Sequence, residues 1–250
     1  MLLKNKICII TGGGSKRGLG LATARLFVEH GAKIAILDMD GDAAKEAAAS
    51  LKGRGHMGLA CNVTKRKDCD RAVARVLAKH GRIDVLINNA GITAPDRLMQ
   101  VTDALYDRIM DVNMRGTFLM TQAVVPQMRA QQAGSIVNMS SVSAQRGGGV
   151  FGGTPYAAAK GAILGYTKAC ARELGADNVR VNAICPSMID TDITGGLMTD
   201  AQRDGVIASV PMGRLGRADE VAGCYLFLAS DLSSYITGTE TDINGGSHIH

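Results

Sequence analysis

Short apolar runs near residues 6–11, 33–38, 57–63, 83–88, 135–140, 179–185 and 239–243 alternate along the chain with longer, alanine-rich stretches of helical period. The runs are apolar at nearly every position instead of alternating with polar residues, so each predicted strand is covered on both faces. Strands that alternate with helices and are buried on both sides pair in parallel through right-handed helical crossovers. The expected fold class is α/β: a doubly wound, Rossmann-like parallel sheet of about seven strands with helices on both faces. No linker, low-complexity block or internal repeat interrupts the pattern, so residues 1–250 read as a single domain. The five prolines are expected at helix or loop boundaries.

Composition narrows the core and the class of partner. Aromatic residues are only 4% and Trp is absent, so the core must be built from Ala, Val, Ile, Leu and Met. The net charge is +5, but cations and anions are interleaved, and the densest basic run, Lys65-Arg66-Lys67, reads as a solvated helix start. With no nucleic-acid-binding motif, an anionic cofactor or substrate accounts for the positive balance better than a polyanion. The six cysteines lack CxxC spacing and mostly fall in apolar runs, as small buried hydrophobes in a reducing compartment do, and no metal site is expected. Neither a leader nor a run of about 18 apolar residues is present, so the expectation is a cytoplasmic protein without a membrane span.

Chemistry enters at the first strand. Lys6-Ile7-Cys8-Ile9-Ile10 runs into Thr11-Gly12-Gly13-Gly14-Ser15-Lys16-Arg17-Gly18-Leu19-Gly20, and helical period begins at Leu21 and lasts to His30. Strand, glycine loop and helix in that order suit a pyrophosphate: glycines allow a sharp turn and close approach, and the helix start offers free N–H groups. Asp38 closes the second strand, where the ribose of a dinucleotide would lie. Candidate cofactor residues are therefore Gly12, Gly14, Arg17, Gly18, Leu19, Gly20 and Asp38. The Asp38 carboxylate would bond the ribose hydroxyls of NAD and repel the extra phosphate of NADP, so NAD is preferred; Lys16 and Arg17 in the loop keep NADP as the alternative.

Tyr156 and Lys160 open a helical stretch that runs to Leu174, and their spacing puts both on one helix face, one turn apart. The Lys160 ammonium, with the charge of an oxidised nicotinamide, is expected to draw the Tyr156 pKa well below its reference of about 10. The result would be a general acid/base usable near neutral pH.

These residues in this order resemble the short-chain dehydrogenase/reductase family, whose fingerprint is TGxxxGxG, then NNAG, a catalytic Asn, a Ser, YxxxK and a PG-type loop. The likeness covers essentially the whole chain. Five residues separate Gly12 from Gly18 where the family has three, and Gly14 restores the spacing in a shifted register, so either Gly12 or Gly14 can take the first role. The resemblance implies that Asn62 and Val63, in place of the usual Asp-Val, hold the adenine, the Asn62 amide oxygen accepting from its amino group. It implies that Asn89, Ala90 and Gly91 form the cofactor-side turn, and that Pro186, Ile189 and Thr191 anchor the nicotinamide, with Ser187 where the family has Gly. The implied catalytic set is Asn113, Ser141, Tyr156 and Lys160, the last two also touching the cofactor, and Asn113 joining Lys160 to solvent through a water. Ser141 is preferred to Ser143 because it follows Ile136-Val137-Asn138-Met139-Ser140, although Ser143 has the commoner thirteen-residue offset from Tyr156.

The implied activity is hydride transfer between a nicotinamide and a secondary alcohol or ketone of polyol or sugar type. The alternative is a 3-oxoacyl-[acyl-carrier-protein] reductase, and a non-catalytic cofactor-binding relative is disfavoured because all four catalytic positions are intact. Relatives that reduce carrier-bound chains often carry basic residues beside the site entrance, at positions held here by Gln132 and Asp177, with Arg129 and Arg172 nearby. Residues 1 to about 140 would bind the cofactor and the remainder would supply catalysis and substrate loops. The small-molecule substrate would touch Ser141, Ser143, Phe151, Tyr156 and Met188, with Gln145, Val150, Leu197 and Met198 around them, and 187–213 would be a mobile lid. His248 and His250 are expected in a disordered tail, and the resemblance implies a homotetramer.

Overall fold

The structure is a computed structural model that describes residues 1–192 and 198–249. All seven apolar runs are strands: β1 (Ile7–Thr11), β2 (Lys33–Asp38), β3 (Met57–Ala60), β4 (Val85–Asn88), β5 (Gly134–Met139), β6 (Val179–Pro186) and β7 (Glu240–Ile243). They form one parallel sheet in the order β3-β2-β1-β4-β5-β6-β7. Between them run α1 (Leu19–Glu29), α2 (Gly41–Ala49), α3 (Arg66–His80), α4 (Asp103–Met110), α5 (Gly116–Gln131), α6 (Val142–Arg146), α7 (Thr154–Leu174), α8 (Asp200–Ala208) and α9 (Ala218–Ala229).

Why the strands read as continuous apolar runs is visible in what each side chain meets. Cys8, Ile10, Ile34 and Ile36 pack with Leu21 and Phe27 of α1, Ala44 of α2 and Tyr225 of α9. The alternate positions Ile7, Ile9, Ala35 and Leu37 pack on the other face with Val73 and Val76 of α3 and Met120 and Val124 of α5. Both faces are thus covered by helices. Crossovers run one way from β1 to β3 and the other way from β4 onward, so a crevice opens at the C-terminal ends of β1 and β4.

Polar side chains are admitted to the sheet interior only as a connected set. Asn88 Nδ2 donates to Asn138 Oδ1 at 2.9 Å and to Thr121 Oγ1 at 3.1 Å, and Asn138 Nδ2 donates to Thr167 Oγ1 at 3.0 Å. These bonds tie β4 and β5 to α5 and α7 just below the crevice, where satisfied polar groups fix one arrangement.

One expectation needs correction, and two features were not foreseen. Pro126 lies inside α5 and not at a boundary; it forgoes one helical N–H bond, but the flanking Val124 and Met128 are fully buried and packing keeps the turn helical. Within the segment 187–213 lies α8, started by a reciprocal capping box between Thr199 and Gln202. Between α4 and α5 the chain makes a π-helical turn, Asp111–Arg115, for which the sequence carries no period of its own. Arg66 and Lys67 are exposed at the start of α3, as expected. Among the described residues no helix is long and apolar enough to cross a membrane.

Helix α2 lies so close on β3 that a Cβ at Gly58 would fall on the Ala44 carbonyl and within 2.5 Å of Lys45 Cα. Gly58→Ala should therefore lower urea-measured stability by about 1–3 kcal/mol. Gly161→Ala, in α7 with open space around it, should instead be neutral or stabilise by about 0.5–1 kcal/mol.

Candidate active site

A cleft of about 800 Å³ occupies the crevice. Its floor is the glycine loop. Gly12 has φ +66°, and a Cβ there would stand 2.8 Å from Ala90 Cα; a Cβ at Gly20 would stand 2.8 Å from Gly12 O. Gly12 therefore makes the tight turn and Gly20 the close helix–strand contact, which settles the register in favour of Gly12. The two additional residues are absorbed between them: Gly14 swings to β2, where its N–H donates to Asp38 Oδ2 at 2.9 Å. Helix α1 starts after Gly18 with no side-chain cap, so its leading N–H groups are available to an anion.

Asn89 clamps this loop to β4. Its N–H and that of Ala90 donate to Thr11 Oγ1 at 3.0 Å, and its Nδ2 donates to Thr11 O and Gly12 O at 2.9 and 3.0 Å. Leu37, Asp38, Met39, Asn62 and Val63 line the far end of the cleft. Asn62 Oδ1 already accepts from Thr64 N and Thr64 Oγ1 at 3.0 and 2.8 Å. The group it has left for an adenine is the Nδ2 donor and not the expected oxygen. A floor without side chains, an uncapped helix start and a carboxylate at the end of β2 fit a nicotinamide dinucleotide.

Tyr156 and Lys160 lie on the first turns of α7, which Pro155 helps to start. Tyr156 is half-buried and shares the cleft wall with Ser141, the residue that caps α6 and whose Oγ accepts from Ser143 N at 3.1 Å. Lys160 is 2% exposed; its Nζ donates to Met139 O at 2.7 Å and stands 5.6 Å from the Tyr156 ring centre. Burial pulls the Lys160 ammonium down to about 7, with Cys185 opposing. The protein by itself does not lower the Tyr156 pKa as expected: burial raises it, and Ser141 opposes. The physical reason is that a lysine so deeply desolvated holds only a partial charge near neutral pH.

Asn113 sits in the π-helical turn with no exposure, its Nδ2 donating to Ile92 O and Ile109 O at 2.9 Å. Its Oδ1 is buried without a partner. A Cβ at Gly91 would lie 2.7 Å from that oxygen and 3.5 Å from Lys160 Nζ, so the three converge at one point.

The wall after β6 is made of Pro186, Ser187, Met188, Ile189, Thr191 and Asp192. Ser187 is not in the left-handed region, which is why a serine can replace glycine there. Ile189 bridges Gly216, with Asp190 N donating to Gly216 O at 2.9 Å and Gly216 N to Met188 O at 3.1 Å. On the opposite side Gly153 N donates to Ala94 O at 2.7 Å and Thr93 Oγ1 to Phe151 O, joining the 91–94 and 151–153 loops.

The predicted residues converge with few exceptions. Gly14, Arg17 and Gly20 are not on the cleft wall. Gly14 turns to Asp38 and Gly20 packs under the loop, while Arg17 reaches Asp190 and Asp192 at 3.4 and 3.6 Å and Lys16 reaches Glu46 at 2.8 Å. Ser143, Val150, Phe151 and Met188 line the cleft; Gln145 and Met198 do not, and Leu197 lies outside the described residues. Gln145 bonds Asp242 at 2.8 Å instead.

Sequence reasoning missed Val206 of α8, Ser209 and Val210 just after it, Arg108, Arg146 and Ser247. The tail folds back where disorder was expected: Ser247 N donates to Asn244 O at 3.0 Å and Asn244 Nδ2 to His248 O at 2.8 Å. The signal was the Asn244-Gly245-Gly246 turn, whose glycines have φ +60° and +86°. His250 lies outside the described residues. Gln132 and Asp177 precede β5 and β6, and so stand at the N-terminal end of the sheet, away from this chain's own cleft. Arg129 there is engaged by Asp177 and Glu173 at 2.7 and 3.2 Å.

Residues 12–248 match the family model described as Enoyl-(Acyl carrier protein) reductase. The chain is 51% identical to the uncharacterized short-chain type dehydrogenase/reductase y4mP of Sinorhizobium fredii, over 100% of both chains. It is 44% identical to the 3-oxoacyl-[acyl-carrier-protein] reductase FabG of Thermotoga maritima, over 98% of this chain and 99% of the relative. With the enzyme of the same name from Salmonella typhimurium the identity is 37%, over 100% of both.

A lysine held near 7 in the fold and near 10.4 when unfolded makes the unfolded chain the better proton binder between those values, so its contribution to stability rises as pH climbs through that window. Lys160→Met removes the buried charge. Without cofactor, the variant should gain thermal stability over the parent at pH 6, on the order of a few kcal/mol, and the gain should shrink toward pH 10; melting curves across pH check this.

Proposed function

The chain belongs to the short-chain dehydrogenase/reductase family, NAD(P)-dependent oxidoreductases of CH–OH and C=O groups, and on that premise we propose that it interconverts a small secondary alcohol and its ketone with NAD. The observation that carries the reading is that Tyr156 and Ser141 share the wall of a cleft floored by Gly12 and Gly18, with the buried Lys160 amine one helical turn from Tyr156.

The nicotinamide supplies or accepts the hydride when bound. Tyr156 takes the alcohol proton or returns it to the ketone, acting as general base or acid. Ser141 steadies the substrate oxygen from the other side. Burial makes the Tyr156 phenolate costly, so its formation depends on added positive charge: the oxidised ring and the Lys160 ammonium. With a pKa near 7, Lys160 can both release and regain a proton at working pH. The unpartnered Asn113 Oδ1 beside it would accept from a relaying water. Pro186, Ile189 and Thr191 bound the nicotinamide end, and Asn62, Val63, Ala90 and Gly91 the rest of the cofactor.

For the choice of cofactor, Asp38 would face a second negative charge if a 2′-phosphate were bound. The two cations that would offset it are already paired with acids. For the substrate, the pairing of Arg129 with Asp177 and Glu173 disfavours an acidic carrier. The reductase of carrier-bound 3-oxoacyl chains stays as the second reading because several full-length relatives bear that name. Initial rates with both cofactors, against secondary alcohols, sugars and 3-oxoacyl thioesters free and carrier-bound, separate the two. A large, salt-sensitive gain on the carrier would favour the second.

Tyr156→Phe should keep cofactor affinity and lower kcat by about 100- to 10,000-fold; near-normal turnover would refute the assignment. Asp38→Ala should weaken NAD and relieve NADP, moving the ratio of their kcat/KM by about 1–3 kcal/mol. If NADP is already preferred and only Arg17 or Lys16 substitutions alter that, the acid is not the discriminator.

A further inference from the structure

Six charged side chains line the cleft: Asp38, Arg108, Asp111, Arg146, Lys160 and Asp192. Every carboxylate already accepts hydrogen bonds. Asp38 accepts from Gly14 and Asp40 N–H groups, Asp111 from Arg115 at 2.5 Å, and Asp192 from Ser15 at 3.2 Å with Arg17 beside it. Lys160 is committed to Met139 O behind Tyr156. Among the described residues neither Arg108 nor Arg146 has an acidic partner. The cleft therefore holds two guanidinium groups that no acid among the described residues neutralises.

Of the two, Arg146 is linked to Tyr156 through Ser143. It ends α6, one turn after Ser143, and its Nη2 and the Ser143 Oγ are each 3.8 Å from where a Gly149 Cβ would be. Ser143 in turn abuts Gly152, as does the Tyr156 ring. Arg146 is exposed at the cleft mouth, and its Nη1 donates to Ser247 O at 3.3 Å, which links the guanidinium to the returning tail; among the described residues no side-chain partner takes up its remaining N–H groups. The Ser247 hydroxyl, on the same cleft wall, is buried and has no partner among the described residues. A buried hydroxyl left unmade is costly, and such groups mark places where a ligand completes the bonding.

We propose that Arg146 and Ser247 form the subsite for a carboxylate on the substrate, making the enzyme's substrate a short hydroxy or oxo acid whose reacting carbon meets Tyr156. The inference rests on the reading of the Tyr156 end as the reacting end. One planar guanidinium fork with one hydroxyl matches the two oxygens and single charge of a carboxylate. A dianionic phosphate would keep a charge unanswered there. Arg108, beside Gly91, Ile92 and Thr93, lines the cleft where it adjoins a smaller cavity, and no unpartnered hydroxyl among the described residues stands with it.

The test compares short oxo acids with their methyl esters and with a ketone bearing a phosphate, all reduced with NADH. The acid should exceed its ester about 10- to 100-fold in kcat/KM, mostly through KM. Arg146→Gln should erase that preference and Ser247→Ala reduce it, while Arg146→Lys keeps part, each lowering kcat/KM on the acid far more than on the ester. Equal rates on acid and ester in the parent enzyme, an equal loss on both in Arg146→Gln, or an Arg146-dependent preference for the phosphate would each overturn the proposal. If no carbonyl compound turns over, the proposed activity has failed, and calorimetric binding of the acid to the enzyme–NADH complex still decides the subsite. Binding lost in Arg146→Gln upholds it, and no binding in the parent enzyme overturns it.

Discussion

The buried Lys160 amine is the constraint on which the site depends. A nitrogen 2% exposed must be met by oxygen, and Met139 O at the end of β5 meets it at 2.7 Å. Ser140 Oγ also donates to Lys160 O at 2.8 Å, so side chain and backbone of this one residue lock α7 to β5. The Asn113 oxygen and the Gly91 backbone reach the same point from the π-helical turn and from the end of β4. Tyr156, one turn earlier on α7, has its place determined by these four elements together. The stability surrendered in burying an amine yields a group that titrates near neutral pH.

Across the crevice the same principle is applied with neutral groups. The Asn88–Asn138–Thr167 chain and the Asn89 clamp on Thr11 and Gly12 hold β1, β4 and β5 in register at their C-terminal ends. The glycine loop is thereby pressed against Ala90, and any side chain at Gly12 would be forced into that contact. Two residues more than the usual spacing do not disturb this, because Asp38 gathers the slack through Gly14 N–H. One carboxylate thus shapes the loop and stands where a ribose would be recognised.

The charges around the cleft follow from how distant segments meet. Arg17 on the glycine loop faces Asp190 and Asp192 after β6, more than 170 residues away in sequence. Each such exposed pair contributes little to stability. Their effect is on the field: acids near the cofactor end are offset locally, and uncompensated cations are left elsewhere on the wall.

Local patterning determined the strands, the helices, the glycine loop and the pairing of Tyr156 with Lys160, because period, turn chemistry and a one-turn spacing are written in neighbouring residues. It also made Asp38 legible, since the end of a second strand is a local position. Which glycine turns the chain could not be read locally: Gly12 is selected by Ala90, a residue from another strand. Pro126 inside α5 is tolerated because buried neighbours hold the turn, a tertiary effect that overrides local preference. The pKa values of Tyr156 and Lys160 depend on how deeply packing buries them, and no spacing encodes that depth. Arg146 and Ser247 lie 101 residues apart, and only the turn at Asn244 and the packing of the tail beside α6 bring them to one wall; contacts of that range belong to the tertiary structure, because the chain's local pattern carries no record of which distant surface a turn will meet.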